Sequence, residues 1–270
     1  MTNHTPFFDY GFSVGTLVNI GKKRSSNQDE VIACHESGFY AVSDGMGGLP
    51  KGGQTSAYIK KVLPERIEGA LEQLSECPSA DYAADLLTKQ IVEINETVYK
   101  SENLGNWSEK AGATLSGVWL TGNHAIFVNL GDSRGYILPQ HRKKIRQITN
   151  DHNMAALLVR TGNITKEEAR FHWTSSMLTG FIGKTPPVLP DYYIREVHPG
   201  DQILLCSDGL SGMVSDTVLP SIMRSSANPD CVCERLVETA NENGGRDNIS
   251  VVYIQIVKGG KRKNPSKKAG

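Results

Sequence analysis

The sequence predicts an α+β fold, a four-layer αββα sandwich of two antiparallel β-sheets flanked by helices. Short runs rich in β-branched residues, bounded by Gly, Asn or Asp, recur along the chain and read as strands. They come in hairpin pairs, then two consecutive helical segments, then more strands, an order that differs from the β-α-β alternation of a parallel sheet. At 270 residues, 39% hydrophobic and 21% charged, the chain has an ordinary globular composition and enough length for one large core.

Strands are expected over residues 15–20, 30–34, 39–43, 113–120, 125–130, 136–138, 144–148, 202–206 and 250–257. Helices are expected over 54–74 and 82–101, the second with Leu86, Leu87, Ile91, Ile94 and Val98 at three- and four-residue steps. A third helix, 230–241, places Val232, Leu236 and Val237 on one face. Asn150 or Asp151 is placed to cap a helix running through Leu158, which leaves His152 a capping neighbour and not a general acid. From Gly162 to Gly183 the pattern lapses into a surface insertion, with Thr165 and Glu168 at capping-box spacing to start a short helix. Residues 1–257 thus read as one catalytic-size domain with a flap-like insertion near 162–183, and residues 258–270 as a basic, disordered tail.

Zero net charge points to neither nucleic acid nor a membrane surface, and no stretch approaches the roughly 20 apolar residues of a membrane span. The opening MTNHTPFFDY lacks a basic segment followed by an apolar core, so no secretory signal is expected. Cys34, Cys77, Cys206, Cys231 and Cys233 are odd in number and lack zinc or redox spacing, which fits reduced thiols and a cytoplasmic location. In that setting the Asn106-Trp-Ser108 sequon carries no meaning. Gly11-Phe-Ser13-Val-Gly15 fits the serine-hydrolase elbow by composition, but a β-branched run follows it where a helix is needed.

The informative feature is a repeated ending. Three apolar runs finish on an aspartate beside glycine: Ser43-Asp44-Gly45, Gly131-Asp132-Ser133 and Ser207-Asp208-Gly209. A fourth aspartate, Asp247 in GGRDNISVVYIQI, begins a strand instead. The turn His35-Glu36-Ser37-Gly38 is symmetric about its middle, so pairing outward sets Asp29 opposite Asp44 at the open end of the hairpin. In an antiparallel sheet one strand's end lies beside its neighbour's start, so all five carboxylates can gather at one end of the sandwich. Two carboxylates about 4 Å apart repel by about 4 kcal/mol at an effective dielectric near 20. Such a cluster takes up protons or holds a cation, and an all-oxygen donor set favours Mg²⁺ or Mn²⁺. Gly45 can offer its carbonyl to an ion, while Gly47 and Gly48 clear space for a substrate. Two such ions would bridge a hydroxide able to attack phosphorus in line. Arg24, five residues before Asp29, has the forked geometry that suits phosphate.

These residues resemble the metal-dependent protein serine/threonine phosphatases of the PPM (type-2C) family, in its compact bacterial form. The similar motifs run in order: GKKRSSNQD (21–29), VSDGMGG (42–48), AGATLSG (111–117), NLGDSRG (129–135), ITNDHN (148–153), GNITKEEA (162–169), GDQILLCSDGLSG (200–212) and GGRDNISVV (244–252). The resemblance implies that Asp44 bridges two metals, Asp208 and Asp247 complete one site, and the Gly45 carbonyl serves the other. Asp29 would touch a metal directly or through water, Asp132 would help hold a weaker third ion, and Arg24 would bind the substrate phosphate. The 162–183 segment corresponds to the family's mobile flap. Three positions depart from the pattern: Asn19 stands for a common Asp, Met46 for the His of eukaryotic members, and Gly180 for a common Arg. The expected function is hydrolysis of phosphoserine and phosphothreonine by a monomer, opposing a serine/threonine kinase. The alternatives are a phosphoesterase for small esters and an inactive phosphoprotein-binding module.

Overall fold

The computed structural model describes residues 5, 7–46, 51–74, 76–101 and 112–259. Gly47, Gly48, the Asn106-Trp-Ser108 sequon and tail residues 260–270 lie outside the described residues.

Three strands open the chain, β1 (Gly11–Asn19), β2 (Asp29–Cys34) and β3 (Phe39–Met46), followed by two long helices, α1 (Lys51–Leu71) and α2 (Ala80–Ser101). Then come β4 (Gly112–Ala113), β5 (Leu115–Thr121), β6 (His124–Leu130), β7 (Arg134–Leu138) and β8 (Arg146–Gln147). Next are α3 (Met154–Arg160), α4 (Lys166–Ala169) and a 3-10 turn at Trp173–Ser176. The chain continues through β9 (Asp191–Glu196), β10 (Gln202–Cys206), α5 (Asp208–Ser211), α6 (Leu219–Met223), α7 (Pro229–Glu242) and β11 (Ile249–Val257).

The strands form two antiparallel sheets, one ordered β1-β11-β10-β7-β8 and the other β2-β3-β5-β6-β9, with β4 paired to the end of β3. Alternation along each central strand supplies the layers, because successive side chains point to opposite faces. On β6, Ile126, Val128 and Leu130 join Ile59, Leu63, Leu87 and Ile91 of the long helices, while Ala125 and Phe127 face the other sheet. On β11, Val252, Ile254 and Ile256 face inward, while Ile249, Val251 and Tyr253 pack beneath α7 against Leu236 and Ala240. Three buried apolar layers therefore separate helix, sheet, sheet and helix, the predicted αββα arrangement. Among the described residues no helix is long and apolar enough to cross a membrane.

Local departures from the sequence expectations have physical reasons. β1 begins at Gly11, so Ser13 lies inside a strand paired to Gln255, and a nucleophile elbow is excluded. The expected strand 113–120 is broken at Thr114, which turns its backbone and hydroxyl toward Asp44. The sequence does not predict β9, because Asp191-Tyr-Tyr-Ile-Arg-Glu is an edge strand of mixed burial with charged ends. The cap of α3 is Asn153, whose side chain accepts from the Ala156 amide, and neither Asn150 nor Asp151 caps it. The capping box at Thr165 and Glu168 is present as predicted.

Candidate metal centre

The first hairpin has the expected register: Cys34 pairs with Phe39 next to the turn, and Asp29 pairs with Asp44 at the open end. Asp44 is pinned through its backbone. Its carbonyl accepts from the Thr114 amide at 2.8 Å, and its amide donates to the Thr114 hydroxyl at 3.1 Å. Ser43 donates to the Thr114 carbonyl at 2.7 Å, and the Thr114 hydroxyl lies 2.6 Å from that of Ser133. Gly131 makes this possible. With φ at 132°, a Cβ there would fall 2.5 Å from the Thr114 Cβ. Gly45 has a comparable role. A Cβ would meet the Gly52 carbonyl oxygen at 2.4 Å and that of Gln28 at 2.6 Å, so glycine lets α1 and the loop before β2 close on the strand end.

The other carboxylates arrive by antiparallel geometry. Cys206, at the end of β10, pairs with Arg134 at the start of β7 on one side and with Val251 near the start of β11 on the other. Asp208, Asp132 and Asp247 lie just beyond those three strand ends. Asp44 sits at the electrostatic centre. Burial pushes its pKa well above the usual carboxylate range, and the charges of Asp29, Asp208, Asp132 and Asp247 push it further. Asp132 is raised by burial, then by Asp208 and Asp151, against the opposing pull of Arg134. Burial lifts Asp29 to about 7, and the charge of Asp208 adds to the rise. Burial and the Asp247 charge lift Asp208 to about 6, with Arg134 and Arg24 opposing.

These groups fit the chemistry of a divalent cation. Both carboxylate oxygens of Asp29 and Oδ1 of Asp208 are buried without a hydrogen-bond partner, a costly state for an acceptor unless a proton or an ion satisfies it. All five donors are carboxylate oxygens, and these suit a hard ion. Among the described residues no three acidic, histidine or cysteine side chains are already closed into an ion cage, so the ligands would have to draw in around an ion. Part of the reason is visible at Asp247. Its Oδ2 accepts from Arg24 at 2.7 Å and its Oδ1 from the Asn248 amide at 2.8 Å. Arg24 is half exposed, and its pKa is raised first by Asp247 and more weakly by Asp44 and Asp208, so its guanidinium sits at the mouth of the cluster.

Several positioning residues escape a sequence reading. Asn248, buried beside Asp247, donates to the Ile20 and Ser26 carbonyls and accepts from the Gln28 amide, clamping the Arg24 loop to the start of β11. Asn19 accepts from the Gly21 amide and from Asn241, so this departure from the family pattern serves the base of the same loop. Arg134 grips Asp151 with Nε and Nη2, at 2.9 and 2.7 Å. His152 has both ring nitrogens engaged, Nδ1 accepting from the Gly131 amide and Nε2 meeting Asp191 at 3.1 Å. It anchors the segment that follows the 3-10 turn, since Thr179 donates to its carbonyl and a Cβ on Gly180 would press within 2.9 Å of its ring. That segment then returns to the cluster, where Ile182 exchanges hydrogen bonds with Ala113, itself paired to Gly45. The motifs containing Thr114, Gly131 and Asn248 were visible, but their roles depend on partners far along the chain.

Comparison with known proteins gives a consistent picture. The family described as Protein phosphatase 2C matches residues 21–245. The serine/threonine phosphatase stp of Listeria monocytogenes serotype 4b is 31% identical over 214 residues, covering 79% of this chain and 82% of that protein. The S. agalactiae serine/threonine phosphatase structure is similar with a TM-score of 0.81 at 27% identity, over 91% of this chain and 99% of the other. The catalytic domain of the serine/threonine protein phosphatase PstP in complex with two manganese ions is similar with a TM-score of 0.76 at 28% identity, over 92% and 99% of the two chains.

The raised carboxylates set a sign for stability against pH. A carboxylate whose folded pKa lies above its ordinary value of about 4 favours the fold below that value and loses that contribution as pH rises through the folded pKa. For Asp29 and Asp208 the loss accumulates from about 4 and is complete above about 7 and about 6 respectively. In EDTA the melting temperature is expected to fall between about pH 4 and about pH 7 and to level off above that. Asp208→Asn should raise it at the upper end and flatten the fall, as should manganese added to the parent protein. Thermal melts check this, and an Asp208→Asn protein that melts below the parent in EDTA at about pH 8 would refute the repulsion account.

Proposed function

The chain belongs to the protein phosphatase 2C family and is a protein serine/threonine phosphatase, and we propose that the five-carboxylate cluster between the two sheets is its catalytic centre. The observation that carries this reading is the Asp29–Asp44 pair, held in register, with Asp44 feeling the charge of all four other aspartates. The family and the two-manganese relative support metal dependence. Asp44 would bridge two Mn²⁺ or Mg²⁺ ions, with Asp208 and Asp247 on one and the Gly45 carbonyl on the other. Asp29 would act directly or through water, and Asp132 would help hold a weaker third ion. When bound, the ions supply neutralising charge and activate water for in-line attack on phosphorus.

The chain's own residues do the rest. Arg24 sits on a loop fixed by Asn248 and Asn19, and its fork can leave Asp247 for the substrate phosphate, orienting the phosphorus toward the cluster. Asp247 is then free to turn inward. Thr114 and Gly131 hold the Asp44 backbone rigid, so that position does not reorganise as charge develops. Neither Met46, which cannot protonate, nor His152, with both nitrogens engaged, is suited to donate the leaving-group proton. The substrates are phosphoproteins. We further place the protein as a cytoplasmic monomer opposing a serine/threonine kinase, with residues 1–257 as one catalytic unit. Five free cysteines support a reducing compartment.

The reading is tested with a phosphothreonine peptide. Turnover is expected with Mn²⁺ and none with EDTA, and Asp208→Asn or Asp247→Asn should lower kcat roughly 100-fold or more with the fold intact. Full turnover by Asp208→Asn would remove the ligand assignment, whereas activity confined to p-nitrophenyl phosphate would favour a small-ester enzyme.

The flap gives a second prediction. Phe171 and Trp173 are 87% and 76% exposed, and Trp173 stacks on His172. Exposed aromatics on a segment that leads back to the carboxylates through Ile182 and Ala113 are natural contact points for residues flanking the phosphate. Trp173→Ala should raise KM for a phosphopeptide about fivefold, equivalent to about 1 kcal/mol, and leave p-nitrophenyl phosphate kinetics unchanged. An equal effect on both substrates would assign Trp173 to the structure of the flap.

A further inference from the structure

Far from the carboxylates, the outer strands of the two sheets border an open cavity of about 550 Å³. β8 ends one sheet and β9 ends the other, and they bring Arg146 and Arg195 to the same cavity. Arg142 joins them from the loop between β7 and β8, and Ile137 and Pro139 supply an apolar wall. Arg195 pairs with Ala125, at the opposite end of β6 from Asp132, which sets the cavity roughly 20 Å from the carboxylate cluster by strand rise.

The charges here are not internally balanced. The cavity holds two carboxylates, and both are committed elsewhere. Asp201 accepts from the Gln140 and His198 amides, each at 3.0 Å, and Glu196 accepts from Asn123 at 2.8 Å and lies 3.8 Å from the His198 ring. Among the described residues Arg142, Arg146 and Arg195 form no ion pair with a carboxylate. Arg195 donates from Nη1 to the Ile194 carbonyl, while its Nε is buried with no hydrogen-bond partner. Burial and the nearby charge of Arg146 both lower the Arg195 pKa. The loop is also held in place, because Arg224 donates to the carbonyls of Pro139 and Arg142. Like charges gathered in a fixed concavity, with an unmet donor among them, call for an anion.

We infer that this cavity is a second ligand site, binding a small molecule that carries a phosphate group, with Arg146 and Arg195 on the phosphate and the organic part against Ile137 and Pro139. Forked guanidinium donors match a phosphate dianion, which neutralises them more fully than a single carboxylate would. The cavity is much larger than a phosphate ion and falls within the range of small-molecule sites, and its wall is partly apolar, so an organic phosphate fits better than the free ion. The site is independent of the metal centre.

The test is calorimetric titration of the full chain in EDTA, where hydrolysis is off, with phenyl phosphate, inorganic phosphate and benzoate. Phenyl phosphate should bind most tightly. Arg146→Gln and Arg195→Gln should each weaken it about tenfold or more. Arg24→Ala should leave it unchanged, and Arg146→Gln should keep manganese-dependent turnover. Arg146 is exposed on a two-residue edge strand, so its variant remains decisive even if Arg195→Gln folds poorly. The inference fails if the parent binds none of the probes, if both arginine variants bind as the parent does, or if binding is lost with Arg24 instead. Saturable binding of an acidic peptide without any of phenyl phosphate would also overturn it, in favour of a protein partner.

Discussion

The interaction on which the rest of this structure depends is repulsion. Five carboxylates are delivered to one end of a sandwich by backbone geometry, and the fold provides almost no internal counter-charge for them. Arg24 reaches only Asp247 directly, and Arg134 is committed to Asp151. Hydrophobic layers on both faces of each sheet fix where the strands end, and the strand ends fix where the aspartates stand. The stability of those layers holds the cluster together against its own field. A site assembled this way needs a cation, because protonating the carboxylates would remove the donors that make it useful.

Rigidity at the strand ends comes from close backbone approaches more than from side-chain pairs. Thr114 interrupts one strand so that its amide and hydroxyl can hold Asp44, and the interruption is accommodated because Gly131 leaves room. Gly45 admits the first turn of α1 and the Gln28 carbonyl to the same place. Asn248 performs the matching task across the site, tying the Arg24 loop to β11 through three backbone groups. Each contact satisfies a buried polar group while immobilising a neighbour of a carboxylate, so satisfying the backbone also pre-organises the centre.

What the sequence made legible follows the range of the forces involved. The register of Asp29 against Asp44 could be read from a four-residue turn and simple alternation, and the Thr165–Glu168 capping box is wholly local. The layers followed from strand order and apolar period. The break at Thr114, the cap at Asn153, the grip of Arg134 on Asp151 and the engagement of His152 with Asp191 all rest on partners distant in sequence or on competition between neighbours. Asp151 is the clearest case. It has capping chemistry, but the half-buried Arg134 guanidinium outcompetes the amides of a short helix, and Asn153 takes the cap. β9 was hidden for a related reason: an edge strand of mixed burial lacks the apolar alternation that marks a central one.

The same logic extends to the opposite end of the molecule. A chain with equal numbers of acidic and basic residues can in principle pair every charge, yet this one gathers five aspartates at one end and sets Arg142, Arg146 and Arg195 around one cavity at the other. Surface pairs such as Lys60–Glu30 and Arg66–Glu93 show that ordinary pairing is available elsewhere. Leaving like charges together costs stability, and a fold retains that cost where something bound from outside offsets it. At the carboxylate pole the offset we propose is a cation. At the seam between β8 and β9, where Arg195 keeps an unmet buried donor, the same reasoning with the sign reversed requires an anion. The two sheets thus end in complementary deficits, and each deficit specifies the charge of what completes it.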